Sequence, residues 1–576
     1  MTRQAPPLER MVWIEPPARP SGSPLHGDPL LDRLLAGRLA DAAAVAEFLD
    51  PTCLPAPDPE LLPGMTAAAT RVAVALSGGE AIALFGDYDV DGVTSVALLA
   101  EALGAASGGV APRLVRLPTR AEGYGLNQEA VAAIAAIGVS LLIAVDCGSG
   151  DHAAVAVALA AGLDVVVLDH HQMDGPGPVG AIVASAHLGV NGKYRELAAV
   201  GVAYLLAVAL ARRGFDLGRG PGREPVGLLD LVALGTVADV APLTGVNRRL
   251  VRDGLRRLVQ RPRLGLAELA RRASLATNAI TAEEIAFKLA PRLNAAGRMD
   301  NPRLAFDLLR TTDPPTATRL ADELERLNRL RRKESARVIA EAEADLDQMG
   351  GPTSQVLVLS RPDWGNGVLG LAAGKLAERW GRPTLLLSEE GGVSRGSARS
   401  VPGFDIAHAL AGCGDLLLSH GGHSQAAGVS LATADLPRLR AMLEAAVVAA
   451  GLSPVGPPEL AIDADLPVER LEMGTAELLE ALQPFGRGNP LPLLRVRNVA
   501  LRSYTSMGQD GSHLKLQLAT PRGMVAAVAW GAADRSRELL RQPAIDLVAT
   551  VGIDRWNGQR RLHVEVKDWR PAGEPR

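Results

Sequence analysis

Residues 81–92 read Ala81-Ile82-Ala83-Leu84-Phe85-Gly86-Asp87-Tyr88-Asp89-Val90-Asp91-Gly92, an apolar run passing straight into three alternating acids. An apolar run of this length ending at an acid has the form of a buried parallel strand whose carboxyl end is exposed. The form recurs where residues 141–145 precede Asp146, residues 165–168 precede Asp169-His170-His171, and residues 233–238 precede Asp239. In open α/β sheets the ligand crevice lies at those carboxyl ends. Carboxylates gathered there repel one another unless a cation sits between them. The pattern therefore predicts an α/β domain built around a divalent-metal site.

Asp87, Asp89 and Asp91 are spaced by two, so an extended backbone projects them to one side. Gly86 and Gly92 would permit tight turns on either flank. With Asp146, His170 and Asp239 the chain offers ligands for two ions. An imidazole among carboxylates shifts the preference toward Mn²⁺, with Mg²⁺ also accommodated. Two such ions form a clamp for in-line displacement at phosphorus. The acidic turn alone could equally cap a helix or hold one structural cation; four clusters at strand ends favour the metal site. His171 follows His170, and neighbours on a strand point to opposite sides. It is therefore assigned a different role, against the scissile phosphate or behind a ligand.

With 576 residues, the chain is too long for one hydrophobic core. Its 60 basic and 64 acidic residues give a net charge of −4, so any surface for nucleic acid has to be local. Cys53, Cys147 and Cys413 form no CxxC pair, which fits a reducing, cytoplasmic location. No signal core or membrane span is expected. Residues 1–64 read as a helical extension. Residues 65–275 alternate strand-like and helical stretches, the pattern of a parallel sheet. Residues 276–350 read as a helical connector ending in a long exposed helix. Residues 351–452 form a second α/β segment, residues 454–458 a linker, and residues 456–576 a small β-barrel.

At Asp169-His170-His171, taken with the acidic turn, Val145-Asp146-Cys147-Gly148 and Gly235-Thr236-Val237-Ala238-Asp239, the sequence resembles the DHH phosphoesterase superfamily. Within it the chain resembles the RecJ family of single-strand-specific 5′→3′ DNA exonucleases. The motifs are Arg120-Ala121-Glu122-Gly123-Tyr124-Gly125-Leu126-Asn127, Pro291-Arg292-Leu293-Asn294-Ala295-Ala296-Gly297-Arg298, Gly396-Ser397-Ala398-Arg399-Ser400, Gly421-Gly422-His423 and Pro484-Phe485-Gly486-Arg487-Gly488-Asn489-Pro490. The resemblance implies a DHH domain, a long helix, a DHHA1 domain and an OB fold. It implies metal ligation by Asp87, Asp89, Asp91, Asp146, His170 and Asp239, with His171, Asp89 and Asp146 carrying the chemistry. Arg120, Ser397 and Arg399 would hold the 5′-terminal phosphate, and Arg292, Asn294, Arg298 and His423 would line the substrate path. A guanidinium fork suits phosphate oxygens. Two stretches depart from the family pattern: Val183-Ala184-Ser185-Ala186 replaces Asn-Pro, and Gly365 follows Trp364 where a histidine is usual.

The expected function is metal-dependent release of 5′-mononucleotides from single-stranded DNA in repair and recombination. The two α/β domains would face each other across a cleft that admits one strand. The resemblance also implies a monomer working beside a helicase and a single-strand-binding protein. On the barrel, His513, Lys515, Arg555, Trp556, Arg560 and Arg561 are candidate strand contacts. Two rival readings make different predictions. A DHH oligoribonuclease or nucleotide phosphatase predicts two α/β domains only, and a silent RecJ-like replication scaffold predicts lost metal ligands.

Overall fold

The N-terminal segment is not an independent helical extension. The computed structural model describes residues 11–16, 26–50, 53, 56–173, 175–189, 192, 194–220, 222–276, 279–349, 351, 354–452, 458–508, 511–539, 542–556 and 559–573. Its first element is a strand, β1 (Val12–Ile14), followed by helices α1 (Pro29–Ala36) and α2 (Ala42–Leu49). Asp28 and Asp41 cap these helices, accepting from the first-turn N–H groups. Leu30, Leu31, Leu34, Leu35, Val45 and Phe48 then enter the core of the C-terminal barrel. The local pattern shows the helices but not their destination, because that surface is made by residues from 459 onward.

The DHH domain runs α3 (Met65–Gly78), β2 (Ile82–Gly86), α4 (Val90–Ala106), β3 (Leu114–Arg116), α5 (Gln128–Ala136), β4 (Leu141–Val145), α6 (His152–Ala160), β5 (Asp164–Asp169), β6 (Ile182–Ser185), α7 (Ala199–Arg212), α8 (Leu229–Ala238), α9 (Gly245–Gln260) and α10 (Leu264–Arg272). Its sheet is parallel throughout, in the order β3-β2-β4-β5-β6. Along β2, Ile82 and Leu84 join the core with α3, α4 and α7. Ala83 and Phe85 face the opposite core with α5 and α6. The strand order reverses between β2 and β4, so Asp87 and Asp146 follow the strands that flank the switch point.

Three sequence expectations are corrected in this domain. The run before Asp239 is helical: it belongs to α8, and Asp239 is the C-cap. Residues 229–237 are all buried, so no polar face reveals the 3.6 period, and a buried helix then reads like a buried strand. The acidic turn is not extended. Asp89 is the N-cap of α4, accepting from Gly92 N–H at 3.1 Å, and Asp91 lies inside its first turn. Gly92 is required for close approach and not for a turn, since a Cβ there would stand 2.6 Å from the Asp87 nitrogen.

A short turn, α11 (Ala282–Glu284), passes through a π-helical stretch at 285–289 into α12 (Ala290–Met299), α13 (Arg303–Arg310) and α14 (Pro314–Gln348). The 35-residue α14 is about 50 Å long at 1.5 Å per residue. It is less exposed than its charge pattern suggests. Leu320, Ala321 and Leu324 join the DHH core, and Val338, Ala342 and Leu346 pack with Trp364, Val368 and Leu369. One helix thus enters two cores and sets their separation.

The DHHA1 domain contains β7 (Leu357–Arg361), α15 (Asn366–Trp380), β8 (Thr384–Glu390), β9 (Val393–Arg399), α16 (Ile406–Ala411), β10 (Leu417–His423), β11 (Ala426–Ala432) and α17 (Leu436–Ala449). Its sheet order is β10-β11-β9-β8-β7, with only β7 and β8 parallel. Residues 454–457 of the expected linker lie outside the described residues. Strand β12 (Glu459–Ala461) pairs with β1, and β13 (Ala464–Asp465) with β14 (Leu494–Met507). Then β15 (His513–Thr520), β16 (Gly523–Ala529), β17 (Ala544–Trp556) and β18 (Gln559–Pro571) close on β14 to give a five-stranded barrel, β14-β15-β16-β18-β17. Arg248 of α9, only 2% exposed, fastens the barrel to the DHH domain. It donates to the Phe48 carbonyl at 2.9 Å and the Leu482 carbonyl at 3.1 Å. Among the described residues no helix is long and apolar enough to cross a membrane.

Candidate active site

The carboxyl ends of β2, β4 and β5 and the C-terminus of α8 converge. Ligand atoms of Asp87, Asp89 and Asp146 lie within 4.8 Å of one another, as do those of Asp91, His170 and Asp239, and those of Asp146, His170 and His171. His170 Nε2 stands 3.3 Å from Asp146 Oδ1 and 3.9 Å from Asp91 Oδ2, while its Nδ1 is 3.8 Å from Asp239. Asp146 belongs to two of the three groups and is placed to bridge them. It sits at φ +62°, an unfavourable backbone for a side chain other than glycine. Asp91 is oriented by the N–H groups of Ala199 and Val200, at 2.7 and 3.0 Å, in the first turn of α7.

Asp87, Asp91 and Asp146 are at most 3% exposed. The Oδ1 atoms of Asp87 and Asp146 have no hydrogen-bond partner. Burial, then the charge of Asp89, holds Asp87 well above the usual carboxylate range. Burial, then Asp91, does the same to Asp146. Asp91 is pushed up to about 7 by burial and then by Asp239, and Asp239 to about 7 by burial and then by Asp89. Burial also keeps His170 below its ordinary value, in the neutral form a ligand requires. Orphaned carboxylate oxygens crowded with an imidazole in a dry pocket are the donor set of a hard divalent cation such as Mn²⁺ or Mg²⁺. The residues fit the ion that the sequence implies.

His170 and His171 do not point apart. The two residues follow the end of β5, and their ring centroids are 4.4 Å apart. His171 Nδ1 is 3.9 Å from Asp146 and 2.8 Å from Asp169 Oδ1. Burial opposes its charge, but the bond to Asp169 together with the charges of Asp169, Asp239 and Asp89 raises His171 to about 9. Asp169 carries no role in the sequence assignment, yet it organises the turn. It accepts from the N–H groups of His170 at 2.7 Å, His171 at 3.2 Å and Ser149 at 3.3 Å. Burial would raise its carboxyl, but the His171 bond holds it well below the usual range. Tyr124 Oη lies 3.1 Å from His171 Nδ1 and donates to the Asp146 carbonyl at 3.2 Å. Asp151 accepts from Leu126 and Gly148 N–H at 2.7 and 3.1 Å, tying the Arg120–Asn127 loop to the Asp146 loop. Tyr124 stands inside the Arg120–Asn127 motif, whereas nothing local marks Asp151.

A guanidinium cluster stands beside the acids. Arg120 stacks on Tyr88 at 4.3 Å, and its buried Nε is unpartnered. Arg298 donates to the Gly367 carbonyl at 3.2 Å and Arg399 to the Ala398 carbonyl at 2.8 Å. Burial, then Arg120, lowers both, Arg298 to about 9. Among the described residues none of the three pairs with a carboxylate. Ser397 and Arg399 lie against α15, where a Cβ on Gly370 would meet Arg399 at 2.7 Å and Ser397 at 3.1 Å. His423, Ala426 and Arg399 align across β10, β11 and β9. Two expected substrate residues have other partners. Asn294 accepts from Val90 N–H at 3.1 Å, bracing the acidic turn, and Arg292 pairs with Glu325 at 2.6 Å. Gly365, the departure after Trp364, is the N-cap of α15 and forms no side-chain cap.

On the barrel, Arg555 and Arg560 are paired with Glu480 and Glu477, and Arg561 with Gln559; the Trp556 side chain lies outside the described residues. Lys515 is exposed. Trp530, absent from the sequence expectations, is 52% exposed and stacks edgewise on His513 at 4.9 Å.

Residues 81–236 match the DHH family, N-terminal domain; residues 353–449 the DHHA1 domain; and residues 462–568 the RecJ OB domain. The chain is 35% identical to the single-stranded-DNA-specific exonuclease RecJ of Bacillus subtilis over 552 residues, covering 94% of this chain and 68% of that one. It is 31% identical to the protein of the same name from Haemophilus influenzae over 575 residues, covering 96% and 98%. The crystal structure of RecJ in complex with Mn²⁺ from Thermus thermophilus superposes with a TM-score of 0.78 at 31% identity, covering 98% of this chain and 80% of that one. A Mg²⁺ complex from the same organism gives 0.72 at 30% identity, covering 98% and 79%.

Proposed function

We infer that this chain, which belongs to the RecJ family of DHH phosphoesterases, is a single-stranded-DNA-specific exonuclease. It hydrolyses phosphodiester bonds from the 5′ end and releases 5′-mononucleotides, acting in DNA repair and recombination. The observation that carries the reading is the juxtaposition of two uncompensated clusters. Buried carboxylates with orphaned oxygens stand beside half-buried guanidinium groups that, among the described residues, have no carboxylate partner. A divalent cation satisfies the first cluster and a phosphate group the second.

Asp87, Asp89, Asp91, Asp146, His170 and Asp239 would hold two Mn²⁺ or Mg²⁺ ions, with Asp146 shared. When bound, such ions supply Lewis acidity and an activated water. The protein's own groups do the rest. Arg120, Ser397 and Arg399 take the terminal phosphate, and Arg298 adds charge from α12. Together they fix the strand's end and set direction. His171, held protonated by Asp169 and 3.9 Å from Asp146, donates toward the scissile phosphate. Tyr124 and Asp151 hold the loops in register. His423 extends the path along the DHHA1 sheet, and His513, Trp530 and Lys515 give a second grip on the strand. A helicase and a single-strand-binding protein would deliver the strand, and one copy of the chain suffices because every group named comes from it. The full ligand set speaks against a silent scaffold. The test compares a long 5′-phosphorylated single strand, the same strand in a blunt duplex and a dinucleotide. Rapid loss of the single strand alone is expected. Equal hydrolysis of the duplex, or preference for the dinucleotide, would refute the reading.

A further inference from the structure

The stretch Pro484-Phe485-Gly486-Arg487-Gly488-Asn489-Pro490 belongs to the barrel domain in sequence but docks on the loop that follows Asp239. Leu243 N–H donates to the Arg487 carbonyl at 2.7 Å. A Cβ on Gly486 would stand 2.7 Å from Leu243 Cδ1, and one on Gly488 would stand 3.1 Å from Thr244 Cγ2. The glycines therefore let this hairpin lie flush against the DHH domain. Gly486 and Asn489 bond to each other through backbone groups at 2.9 and 3.0 Å. The Asn489 amide donates to the Leu482 and Pro484 carbonyls, each at 2.8 Å. Arg248 grips the Leu482 carbonyl from the other side. Backbone and flanking residues thus hold the hairpin, and the Arg487 side chain takes no part. It is exposed, and among the described residues its guanidinium forms no hydrogen bond or ion pair. Its backbone is held at Leu243, four residues beyond Asp239.

The acid cluster consequently has a cation at each end. At the Asp87 end Arg120 acts on the carboxylate, with Arg298 and Arg399 beyond it. At the other end Asp239 faces His170 Nδ1, and the hairpin carrying Arg487 is docked on the loop that leads away from Asp239. A strand whose terminal phosphate occupies the first cluster, and whose scissile phosphate lies over the acids, must leave past the second. We infer that Arg487 is a further substrate-binding residue, whose guanidinium takes the backbone phosphate on the 3′ side of the scissile bond. The inference rests on the exonuclease reading above. It makes the barrel domain a contributor to the active-site cleft itself, as well as a distant grip.

A 5′-phosphorylated dinucleotide carries only the terminal and scissile phosphates, so it lacks the group that Arg487 would hold. The test measures steady-state kinetics of the full chain with Mn²⁺ on a long 5′-phosphorylated thymidine oligomer and on the 5′-phosphorylated dinucleotide. In Arg487→Ala the KM for the long strand should rise about tenfold, the value of one charge-assisted contact. Its salt slope should fall by about one. Its kcat, the dinucleotide constants and the thermal midpoint should stay put, and Arg487→Lys should recover most of the lost affinity. An unchanged KM overturns the inference. A parallel loss on both substrates, or a lowered thermal midpoint that accounts for the loss, overturns it too by making the residue structural. If the wild-type chain fails to degrade the single strand, the exonuclease reading has failed. If it succeeds and Arg487→Ala matches it, only this inference has failed.

Discussion

Lowering the pH from 8 to 6 should weaken binding of Mn²⁺ by about two orders of magnitude. Asp91 and Asp239 are both held near 7, by burial and then by the charge of Asp239 on Asp91 and of Asp89 on Asp239. At pH 8 each is about nine-tenths ionised, and at pH 6 about one-tenth. A cation that needs both carboxylates ionised loses about tenfold for each, or about 2.7 kcal/mol in all. Asp87 and Asp146 are also raised by burial and act in the same direction. The sign for stability is opposite when the metal is removed. A folded-state value above the ordinary 3.8 contributes stability that is complete below about pH 4 and lost as pH rises through about 7. His171, raised to about 9, loses its contribution over a still higher window. The metal-free protein should therefore become less stable from pH 5 to pH 8, and saturating Mn²⁺ should reverse the trend. Calorimetric titrations at pH 6, 7 and 8, in two buffers of different ionisation enthalpy, give affinity and proton release together. An affinity change below about threefold, with no proton release at pH 6, would refute the assignment of these carboxylates as ligands.

Asp146→Ala should abolish cleavage, because the carboxylate common to two of the three ligand groups is lost; near-normal turnover on single-stranded DNA would count against that role. Arg399→Ala should erode the preference for a 5′-phosphate over a 5′-hydroxyl end by about tenfold, while affecting the hydroxyl substrate little. Competition between the two ends measures this. Arg248→Ala leaves the buried Phe48 carbonyl without its donor, while the Leu482 carbonyl keeps the Asn489 amide, and should cost about 2 kcal/mol. Urea unfolding followed in the barrel and DHH domains would show it.

The parallel sheet and its metal crevice were legible because β2, β4 and β5 are buried on both faces and end in acids, a pattern with few other readings. The same logic failed at Asp239, where a helix buried all round carries no period. It also failed at Asp89, whose spacing suggested an extended strand although aspartate is a favoured helix N-cap. The resemblance put Arg120, Ser397, Arg399, Asn294 and Arg292 alike on the substrate path; that Asn294 bonds Val90 and Arg292 pairs with Glu325 is visible only in the fold. Asp169 was visible as a letter and invisible as an organiser, since its role depends on where three N–H groups converge. The pairing of β1 with β12, and the docking of Arg487 beside the Asp239 loop, join segments distant in sequence. No local pattern encodes either.

One acid cluster and one guanidinium cluster are together expected to cut single-stranded DNA from its 5′ end. A time course on the same oligonucleotide labelled at either end, with Mn²⁺ or Mg²⁺ and with chelator, tests it directly. A 5′ label should appear at once as mononucleotide, and a 3′ label should pass through a descending ladder, both only with metal. Immediate mononucleotide from the 3′ label, or cleavage that persists in chelator, would contradict the account.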